Sequence, residues 1–576
     1  MIGFSRRYLF HCSPPILFAV VPWVLLPTIF LLLDCAGQFP PDGGPPDTTP
    51  PAVIRTVPDT NAIRVTENRV EIEFSEYVDR RTVEESIFIS PPVGALDFDW
   101  SSTEVAIDFE DTLRKNTTYV LTIGTDVIDK RASIRMASGF TLAFSTGDSI
   151  DRGAISGRVF DAKPEGIMIF VYALRDIDPD TLNPATLRPD YVMQTGKEGK
   201  FTVSNVAWGR YRLFAIRDEY RNLVYDRQVD FYGVASSEFS LSDDLPHAGQ
   251  VWLRMAREDT TKPFLTEVMQ VSSSRFHARF SEPVDSLSFA SASLVLSDTL
   301  EGVRQEISVR YLSEPATGML LIAADLDSGK AYRLSVEGIV DTAGNLIDPK
   351  NSTASFVATT VPDTVGPTLR VTGLADTLIG YRPALPFEVR FSEPVNQSST
   401  AGGISLLNSK DEAIDARLTW ASPVRLLVQP ADPAVAGPTL HFKAVMDSVR
   451  DLAGNVLQDS VLKISIPLFD LKKTGEVEGM LADRDASGQG VIYLTATNLG
   501  RVWKKAEILG GPGKFTMDGL PEGRYMLSAF RDVDSSGAYS PGLPFPFHAS
   551  ERFVVGSDTI KVRARWAVEG IRLTIP

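Results

Sequence analysis

Two short sequence signatures recur along this 576-residue chain, and their recurrence is its most constraining feature. The first, Phe74–Asp79 (FSEYVD), returns as Phe280–Asp285 (FSEPVD) and as Phe391–Asn396 (FSEPVN). The second joins Gly-Lys-Phe, Gly-Arg-Tyr and Arg-Asp steps at identical spacing, over 199–218 and over 513–532. Repetition on this scale is typical of small domains in tandem, each with its own core and each in contact mainly with its sequence neighbours.

Length and composition agree with several globular domains. At roughly 150 residues per domain the chain would hold about four, and smaller β units raise our prediction to five. A hydrophobic content of 43% and a charged content of 23% are those of a folded chain. The net charge of -16 disfavours nucleic acid and bare anionic membrane surfaces. Partners are therefore expected to be neutral, cationic or bridged by a metal ion.

The first segment of the chain has the pattern of an export signal or a membrane anchor. Two arginines precede Ile16–Leu33, an uncharged run rich in Leu, Val, Phe and Ile. We predict that residues 1–35 are a signal peptide or anchor and that 36–46 form a Pro/Gly-rich tether. Both cysteines of the chain, Cys12 and Cys35, lie before that tether, so no disulfide can staple the body.

The residues around Cys35 resemble a bacterial lipoprotein signal, with an apolar stretch, a cysteine just beyond it and a flexible tether. The resemblance implies that Cys35 becomes the lipidated first residue of the mature protein. Asp34 departs from the family's preference for a small residue before the cysteine, so an uncleaved anchor and simple secretion stay open. All three alternatives place the body outside the cytoplasm, in the cell envelope and facing the periplasm or the exterior.

Alternating apolar residues predict strands in the first unit, 47–148. Residues 70–74 alternate Val, Ile and Phe with glutamates, as in a strand with one buried face. Shorter strand candidates follow at 87–89, 105–109, 119–123 and 140–144. Turn-rich stretches separate them, which predicts a β-sandwich. The same plan returns in 259–360 and in 363–468.

Three signatures occur together in these units. Each unit opens with Asp-Thr-x-x-Pro, at Asp47, Asp259 and Asp363, and each carries the Phe-Ser-Glu step. An Asp-x-Ala-Gly-Asn loop follows at Asp341 and Asp451, and it is degenerate in the first unit. The combination resembles the SbsA-type bacterial Ig-like domain, which implies an Ig-like sandwich and leaves the ligand open.

The remaining units, 150–257 and 474–576, follow another plan. Each begins with a Gly-flanked short strand and continues with an apolar one, at Ile167–Leu174 and Val491–Leu494. The Gly-Lys-Phe and Gly-Arg-Tyr steps then predict hairpins whose aromatic residues enter the core. These units resemble the transthyretin-like, carboxypeptidase-regulatory β-sandwich. The fold class is therefore all-β: a tandem array of five small β-sandwich domains, with little helix.

The best metal-binding candidate is the turn at Asp532, Asp534 and Ser536. Oxygen-bearing side chains at alternate positions, followed by glycine, copy the front half of a calcium loop. The bidentate glutamate that would complete it is missing, since Leu543 holds its position and no acid follows before Glu551. A calcium site and a solvated turn both stay open here, and no other cofactor is predicted.

The repeated acidic signatures are interpreted as structural. The Phe of Phe-Ser-Glu-Pro-Val closes a core, its Pro ends strand pairing, and Ser and Glu are expected to bond nearby backbone. Gly344 and Gly454 permit a left-handed turn in the Asp-x-Ala-Gly-Asn loops. Such a loop alone supplies about two oxygen ligands, fewer than calcium requires.

The sequence has few features that favour catalysis, although its many acidic residues leave a carboxylate pair for glycoside hydrolysis open. The histidines have no metal-ligand spacing, no Gly-x-Ser-x-Gly elbow occurs, and the body has no cysteine. We predict that the protein is not an enzyme. Its predicted function is that of a modular scaffold or adhesive rod that binds envelope proteins or polysaccharide and binds no nucleic acid. An N-terminal lipid or anchor helix is expected to hold it to a membrane. The alternative is a glycan-binding surface lipoprotein, which solvent-facing tryptophans clustered on one unit would favour; a hydrolase would need acidic or imidazole groups converging in a cleft.

Overall fold

The computed structural model describes residues 47–576 except 176, 314–315, 324–325, 373–379, 437, 459–460 and 486–487. Strands account for 49% of the chain and helices for 5%, which confirms the all-β prediction. The architecture is a tandem array of small β-sandwiches. We refer to residues 47–148, 150–257, 259–360, 363–468 and 474–576 as units one to five.

Unit one is a sandwich built on the predicted strands. One sheet has the order β1-β2-β5-β4 and the facing sheet the order β3-β6-β7, in elements β1 (Val53–Val57), β2 (Arg69–Phe74), α1 (Arg80–Glu84), β3 (Ile87–Ser90), β4 (Leu96–Ser101), β5 (Glu104–Phe109), β6 (Thr118–Ile123) and β7 (Phe140–Ser145). Val70, Ile72 and Phe74 are fully buried between the sheets, as their alternation predicts. Asp79, which ends the Phe-Ser-Glu signature, caps α1 by accepting the amide of Arg81.

Unit two has a larger sheet, ordered β10-β9-β12-β13-β16 with β14 also on β12, and a smaller one, ordered β11-β8-β15. Its elements are β8 (Gly153–Phe160), β9 (Met168–Ala173), β10 (Tyr191–Gln194), β11 (Lys200–Val206), β12 (Gly209–Arg217), β13 (Phe231–Val234), β14 (Phe239–Leu241), β15 (His247–Arg254) and β16 (Ala256–Arg257). β15 runs parallel to β8. Every residue of β9 is buried, so both faces of the larger sheet are covered.

Unit three pairs a sheet β17-β18-β22-β21 with a sheet β20-β19-β23-β24. Its elements are β17 (Leu265–Gln270), β18 (Arg275–Phe280), α2 (Ser286–Ser291), β19 (Ser293–Asp298), β20 (Arg304–Gln305), β21 (Ile307–Leu312), β22 (Gly318–Ala323), β23 (Ala331–Glu337), a 3-10 turn (Pro349–Asn351) and β24 (Thr353–Val357). Phe276, Ala278 and Phe280 enter its core, as predicted.

Unit four repeats this arrangement, with sheets β25-β26-β30-β29 and β28-β27-β31-β32. Its elements are β25 (Leu369–Thr372), β26 (Phe387–Phe391), α3 (Gln397–Thr400), β27 (Ile404–Leu407), β28 (Ala413–Ile414), β29 (Ala416–Ser422), β30 (Arg425–Pro430), β31 (Thr439–Val445), β32 (Val461–Pro467) and 3-10 turns at Pro433–Ala436 and Met446–Ser448. Phe387, Val389 and Phe391 lie in its core.

Unit five has sheets β36-β33-β40 and β35-β34-β37-β38, with β39 also on β37. Its elements are a 3-10 turn (Leu471–Lys473), β33 (Thr474–Asp483), β34 (Val491–Asn498), β35 (Lys504–Leu509), β36 (Gly513–Pro521), β37 (Gly523–Asp532), β38 (Phe553–Val555), β39 (Ile560–Val562) and β40 (Ala567–Ile575). β40 is parallel to β33, as β15 is to β8 in unit two. Phe515 and Tyr525, from the repeated steps, are buried in the core as predicted.

Units two and five are in direct contact, although units three and four separate them in sequence. The hydroxyl of Tyr232 donates to the carbonyl of Gly542 at 2.9 Å, across 310 residues of chain. Leu543 and Phe547 of unit five pack on the outer face of the larger sheet of unit two. The expectation that each unit contacts mainly its sequence neighbours is therefore wrong for this pair, and the chain is not a simple extended row.

Candidate functional site

The predicted calcium turn forms an acidic cluster, in a composition that the sequence did not indicate. Carboxylate oxygens of Asp532 and Asp534 lie within 4.8 Å of each other and of an oxygen of Glu551, which the loop after β37 brings back. Ser536, which was predicted as an oxygen ligand, forms hydrogen bonds within the turn: its amide donates to Asp532 at 3.1 Å and its hydroxyl donates to the carbonyl of Ala538 at 2.8 Å.

Hydrogen bonds already satisfy this cluster. Each carboxylate oxygen of Asp532, Asp534 and Glu551 accepts a bond, from backbone amides or from the hydroxyl of Ser540. The bonds from Ser540 and Ser536 lower the pKa of Asp534 to about 2. Burial raises the pKa of Glu551. The arrangement accounts for a well-ordered turn, and calcium at Asp532, Asp534 and Ser536 stays a prediction.

In unit three the separate acidic signatures converge on one point. Asp259 comes from the opening segment, Glu282 from the step after β18 and Asp341 from the loop after β23. One carboxylate oxygen of each lies within 4.8 Å of the others. We call this group the unit-three triad. Sequence reasoning missed it because each signature was weighed alone.

Backbone hydrogen bonds place the three segments of the triad. The amide of Ser281 donates to the carbonyl of Phe264 at 2.9 Å, and the amide of Phe264 donates to the Ser281 hydroxyl at 3.0 Å. The side-chain amide of Asn345 donates to the carbonyl of Asp259 and to Oδ2 of Asp341, both at 2.9 Å. The serine and asparagine of the signatures thus tie the opening segment to the strand end and to the loop.

The three neighbouring carboxylates of the triad repel one another when they are ionised. Asp341 is 2% exposed and accepts the amides of Ala343 and Asn345. Oε1 of Glu282 is buried, and no described residue forms a hydrogen bond with it. Burial, then the charges of Asp259 and Asp341, raise the pKa of Glu282. A cation at this point would relieve both the repulsion and the missing bond.

Unit four has the equivalent triad, Asp363, Glu393 and Asp451, with oxygens again within 4.8 Å. Here an arginine from the preceding unit enters the group. Nη1 of Arg275, on β18, forms an ion pair with Oε2 of Glu393 and lies 3.4 Å from Oδ2 of Asp363. The side chains of Arg275 and Glu393 are 12% and 7% exposed, so the pair is nearly buried.

Unit one has the corresponding residues Asp47, Glu76 and Asp129, which are not among the convergent acidic groups in the described part of the chain. Asp129, in the degenerate loop of this unit, accepts the amides of Arg131, Ala132 and Ile134. Those amide bonds, chiefly that of Ala132, lower the pKa of Asp129. The loop here is a turn closed by backbone donors.

The contact between units two and five is rich in aromatic rings and arginines. The guanidinium of Arg212 stacks on Phe547 with its carbon 3.6 Å from the ring centroid. Phe547 also meets Phe214 edge to face at 6.2 Å. Nearby, Phe160 lies 5.3 Å from Phe553, and Arg254 sits over that ring at 4.6 Å. We call these residues, with Tyr232 and Gly542, the two–five interface.

One signal in the sequence pointed to this interface. The run Ile167–Leu174 contains no polar residue, and a strand of that kind is covered on both faces. Val171 faces the sandwich core, whereas Phe170 and Tyr172 belong to a second apolar cluster on the outer face. Unit five covers part of that outer face.

Histidine, serine and aspartate meet on the sheet surface of unit four, without the geometry of a nucleophile. Nδ1 of His441 lies 3.0 Å from the Ser465 hydroxyl, and its Nε2 lies 3.9 Å from Asp411. Lys463 holds that carboxylate at 2.6 Å. Asp411 therefore serves the lysine and does not orient the imidazole as a general base requires.

The tryptophans do not form one platform on the described surface. Trp100, Trp252, Trp420 and Trp503 are partly buried and pack against cores. Trp208 and Trp566 are 36% and 71% exposed and lie on units two and five respectively.

Cys35 and the rest of the predicted leader and tether lie outside the described residues. Among the residues described, no helix is both long and apolar enough to span a membrane.

Comparison with known proteins identifies the first unit. Residues 47–146 match the family profile described as bacterial Ig-like domain. No protein of curated function matches the chain. The family match covers less than half of the chain, and it agrees with the resemblance on which the sequence interpretation of unit one was based.

Several solved structures are similar over parts or most of the chain. The N-terminal part of the S-layer protein SbsC shares 15% identity over 36% of this chain and 45% of its own, with a TM-score of 0.17. Domains 1–6 of SbsC share 10% over 90% of this chain and 67% of that one, with a TM-score of 0.15. The Bacillus anthracis TIE protein shares 9% over 92% and 76%, with a TM-score of 0.13. Scores this low carry no inference about the arrangement of the units.

Proposed function

We propose that this protein is a non-catalytic scaffold of the cell envelope, whose β-sandwich units hold envelope proteins or polysaccharide at set positions outside the cytoplasm. The observation that carries the proposal is the two–five interface. A string of independent domains would leave its surfaces free to move relative to one another. Here Phe547 of unit five packs on both Arg212 and Phe214 of unit two, which holds the two units together.

A fixed arrangement favours binding by several units at once. Surfaces that are already placed relative to one another lose little conformational freedom when a partner binds. The acidic net charge of -16 suits neutral or cationic partners. The apolar leader and Cys35 supply a means of holding the body to a membrane by lipid or by an anchor helix, and mass spectrometry of the mature N-terminus tests which applies.

The glycan-binding alternative has less support. Stacking of sugar rings needs aromatic faces that are exposed and close to one another. Trp208 and Trp566, the tryptophans most exposed in the described structure, belong to different units. Polysaccharide therefore stays in the proposal as a partner of the assembled scaffold.

The fixed arrangement is tested by hydrogen–deuterium exchange on the full chain in detergent, with Phe547→Ala as the variant. Loss of the ring in unit five is expected to speed amide exchange in unit two, over β9 and β12, because those strands lose part of their cover. Phe545→Ala is the matched control, since Phe545 lies in the same loop and is 36% exposed. Faster exchange in unit five alone would show that the interface does not form.

Binding is tested with the same proteins, immobilised and exposed to envelope extract and to a panel of polysaccharides. The scaffold proposal expects ligands that the wild type and Phe545→Ala retain and that Phe547→Ala binds at least tenfold more weakly. Equal retention by all three proteins would mean that one unit binds alone and that the fixed arrangement has no part in function. Turnover of any polysaccharide in the panel would overturn the non-catalytic assignment.

A further inference from the structure

The unit-three triad brings three acidic side chains together. Carboxylate oxygens of Asp259, Glu282 and Asp341 lie within 4.8 Å of one another. Within the described chain, none of these three residues is in an ion pair with lysine or arginine, whereas the neighbouring Glu258 pairs with Arg227. Arg257, two positions before Asp259, bonds the carbonyl of Gln228 at 3.0 Å instead.

A second observation is independent of this clustering. Oε1 of Glu282 is screened from solvent, although the residue as a whole is partly exposed, and no described residue forms a hydrogen bond with this atom. A buried carboxylate oxygen is costly unless a donor or a cation meets it. Since no residue of the described chain donates to this atom, a cation at the triad would satisfy it.

A third observation comes from the same three positions in unit four. There the guanidinium of Arg275 lies between Glu393 and Asp363. The loops of the two triads are alike in detail, since Asn455 bridges the carbonyl of Asp363 and Oδ2 of Asp451 as Asn345 does in unit three. A positive charge therefore fits the group, and in unit four the protein provides it.

The donor set suits a hard divalent cation. Calcium takes oxygen ligands at about 2.4 Å in flexible geometry, so two ligands on opposite sides of it are roughly 4.8 Å apart. The triad oxygens all lie within 4.8 Å of one another, which is close enough for one such ion to contact all three residues. Magnesium demands shorter bonds and a regular octahedron, and it usually keeps several waters.

We propose that Asp259, Glu282 and Asp341 bind a calcium ion at the junction of units two and three, and that Arg275 takes the place of this ion in unit four. The position gives the ion a role. Asp259 lies two residues after the end of β16, which pairs with β13 of unit two. An ion held by Asp259 therefore ties the last strand of unit two to the strand end and loop of unit three.

The first test measures calcium binding to the full chain in detergent after chelation, by titration calorimetry, with Glu282→Gln as the variant. The wild type is expected to bind one more calcium ion than the variant, with at least tenfold loss of affinity at that site. Glu393→Gln is the matched control, because it makes the same change in unit four; its calcium stoichiometry is expected to equal that of the wild type. Asp534→Asn separates any binding in unit five from binding in unit three.

A second variant tests whether Arg275 takes the place of the ion in unit four. Arg275→Gln removes the guanidinium from unit four and is expected to create a further calcium site there, which adds one equivalent to the wild-type stoichiometry. Since this change risks unfolding unit four, Asp341→Asn in unit three provides a separate loss-of-binding variant. Far-ultraviolet circular dichroism verifies that each variant is folded.

A structural readout accompanies the titration. Calcium is expected to slow amide exchange at residues 257–263 and 341–347 in the wild type and to leave both unchanged in Glu282→Gln. The proposal is overturned if the wild type and Glu282→Gln bind calcium alike, if Glu393→Gln loses the same equivalent, or if magnesium at equal concentration produces the same protection.

Discussion

Units two and five share one plan and use it differently. In each, the arginine at the end of the Gly-Arg-Tyr strand pairs with an aspartate across the sandwich: Arg217 with Asp161, and Arg531 with Asp483, both at 2.6 Å. In each, the last long strand is parallel to the first. Both units thus share the core and this arginine–aspartate pair, which we call the polar clamp.

The difference lies on the outer face of the central strand. In β12 of unit two, Phe214 and Ile216 are fully buried in a second apolar cluster. The equivalent residues of β37 in unit five, Ser528 and Phe530, are partly exposed. The shared signatures specify the sandwich, whereas the residues between them decide whether its outer face is a surface or an interface.

The largest effect should come from Phe214→Ala. The variant removes a ring from the buried outer face of unit two, and the equivalent face of unit five is partly exposed. The expected loss is about 3–5 kcal/mol in the free energy of unfolding of unit two. Native-state hydrogen exchange measures this loss unit by unit. Ser528→Ala, at the equivalent position of unit five, is expected to change stability by less than about 0.5 kcal/mol. Similar losses in both units would remove the distinction between their outer faces.

The next largest effect should be a difference between the polar clamps of the two units in their contribution to stability. Asp483 is fully buried and meets both Arg531 and Arg552, whereas Asp161 is 17% exposed and meets Arg217. Asp483→Asn is expected to cost about 3 kcal/mol, since it leaves buried arginines without their partner. Asp161→Asn is expected to cost about 1 kcal/mol. Unit-resolved hydrogen exchange at neutral pH checks both values.

The clamp of unit five also predicts a pH dependence. Burial raises the pKa of Asp483, but hydrogen bonds from Arg552 and Arg531 outweigh it, so the pKa lies below its ordinary value. A lowered folded-state pKa gives stability that is complete above the pKa of the unfolded chain, about 3.9, and is lost as pH falls through the folded value. The stability gap between wild type and Asp483→Asn should therefore close in acid, and a gap that widened there would contradict the assignment.

A smaller effect is expected from Arg212→Met, which gives unit two the residue that unit five has at Met526. Arg212 is 3% exposed and donates to the carbonyl of Pro179 and to Glu238, both at 2.6 Å. Loss of charge-assisted bonds and of the stacking on Phe547 should cost about 1.5–3 kcal/mol in unit two. Arg210→Met is the control, because Arg210 pairs with the same Glu238 from the same strand but is 53% exposed.

The smallest effect should be equal in the two units. The hydroxyl of Tyr211 donates to the carbonyl of Ala207 at 2.7 Å, and that of Tyr525 donates to Pro521 at 2.8 Å. Replacement of either tyrosine by phenylalanine should cost about 1 kcal/mol in its own unit. Unequal losses, measured by hydrogen exchange, would show that the same tyrosine hydrogen bond contributes differently to the stability of the two units.

The sequence predicted the sandwich fold because its signals are local. The alternation over residues 70–74 and the buried aromatics Phe201 and Phe515 follow from period-2 patterning and from hairpin turns. The two–five interface joins surfaces that are far apart in the chain, and no periodic pattern specifies which surfaces meet. The apolar run Ile167–Leu174 indicated only that something covers the outer face.

The candidate site shows a similar limit. Asp532 and Asp534 were found because they are close in sequence, whereas Glu551 joins them only through the folded loop. Asp259, Glu282 and Asp341 belong to three signatures, each of which has a sufficient local role as an opening, a strand end or a turn. Their convergence depends on the register of the sandwich, which the sequence does not give.

The parallel pairing of β15 with β8 has a mechanical consequence. The chain enters unit two at the start of β8 and runs out through the opposite end of β15 into the short strand β16, and β8 and β15 are hydrogen-bonded neighbours. Tension between the entry and exit of the unit would pull these strands lengthwise past each other, so that the bonds of the ladder bear load together rather than one after another. Unit two is therefore built to resist stretching along the chain.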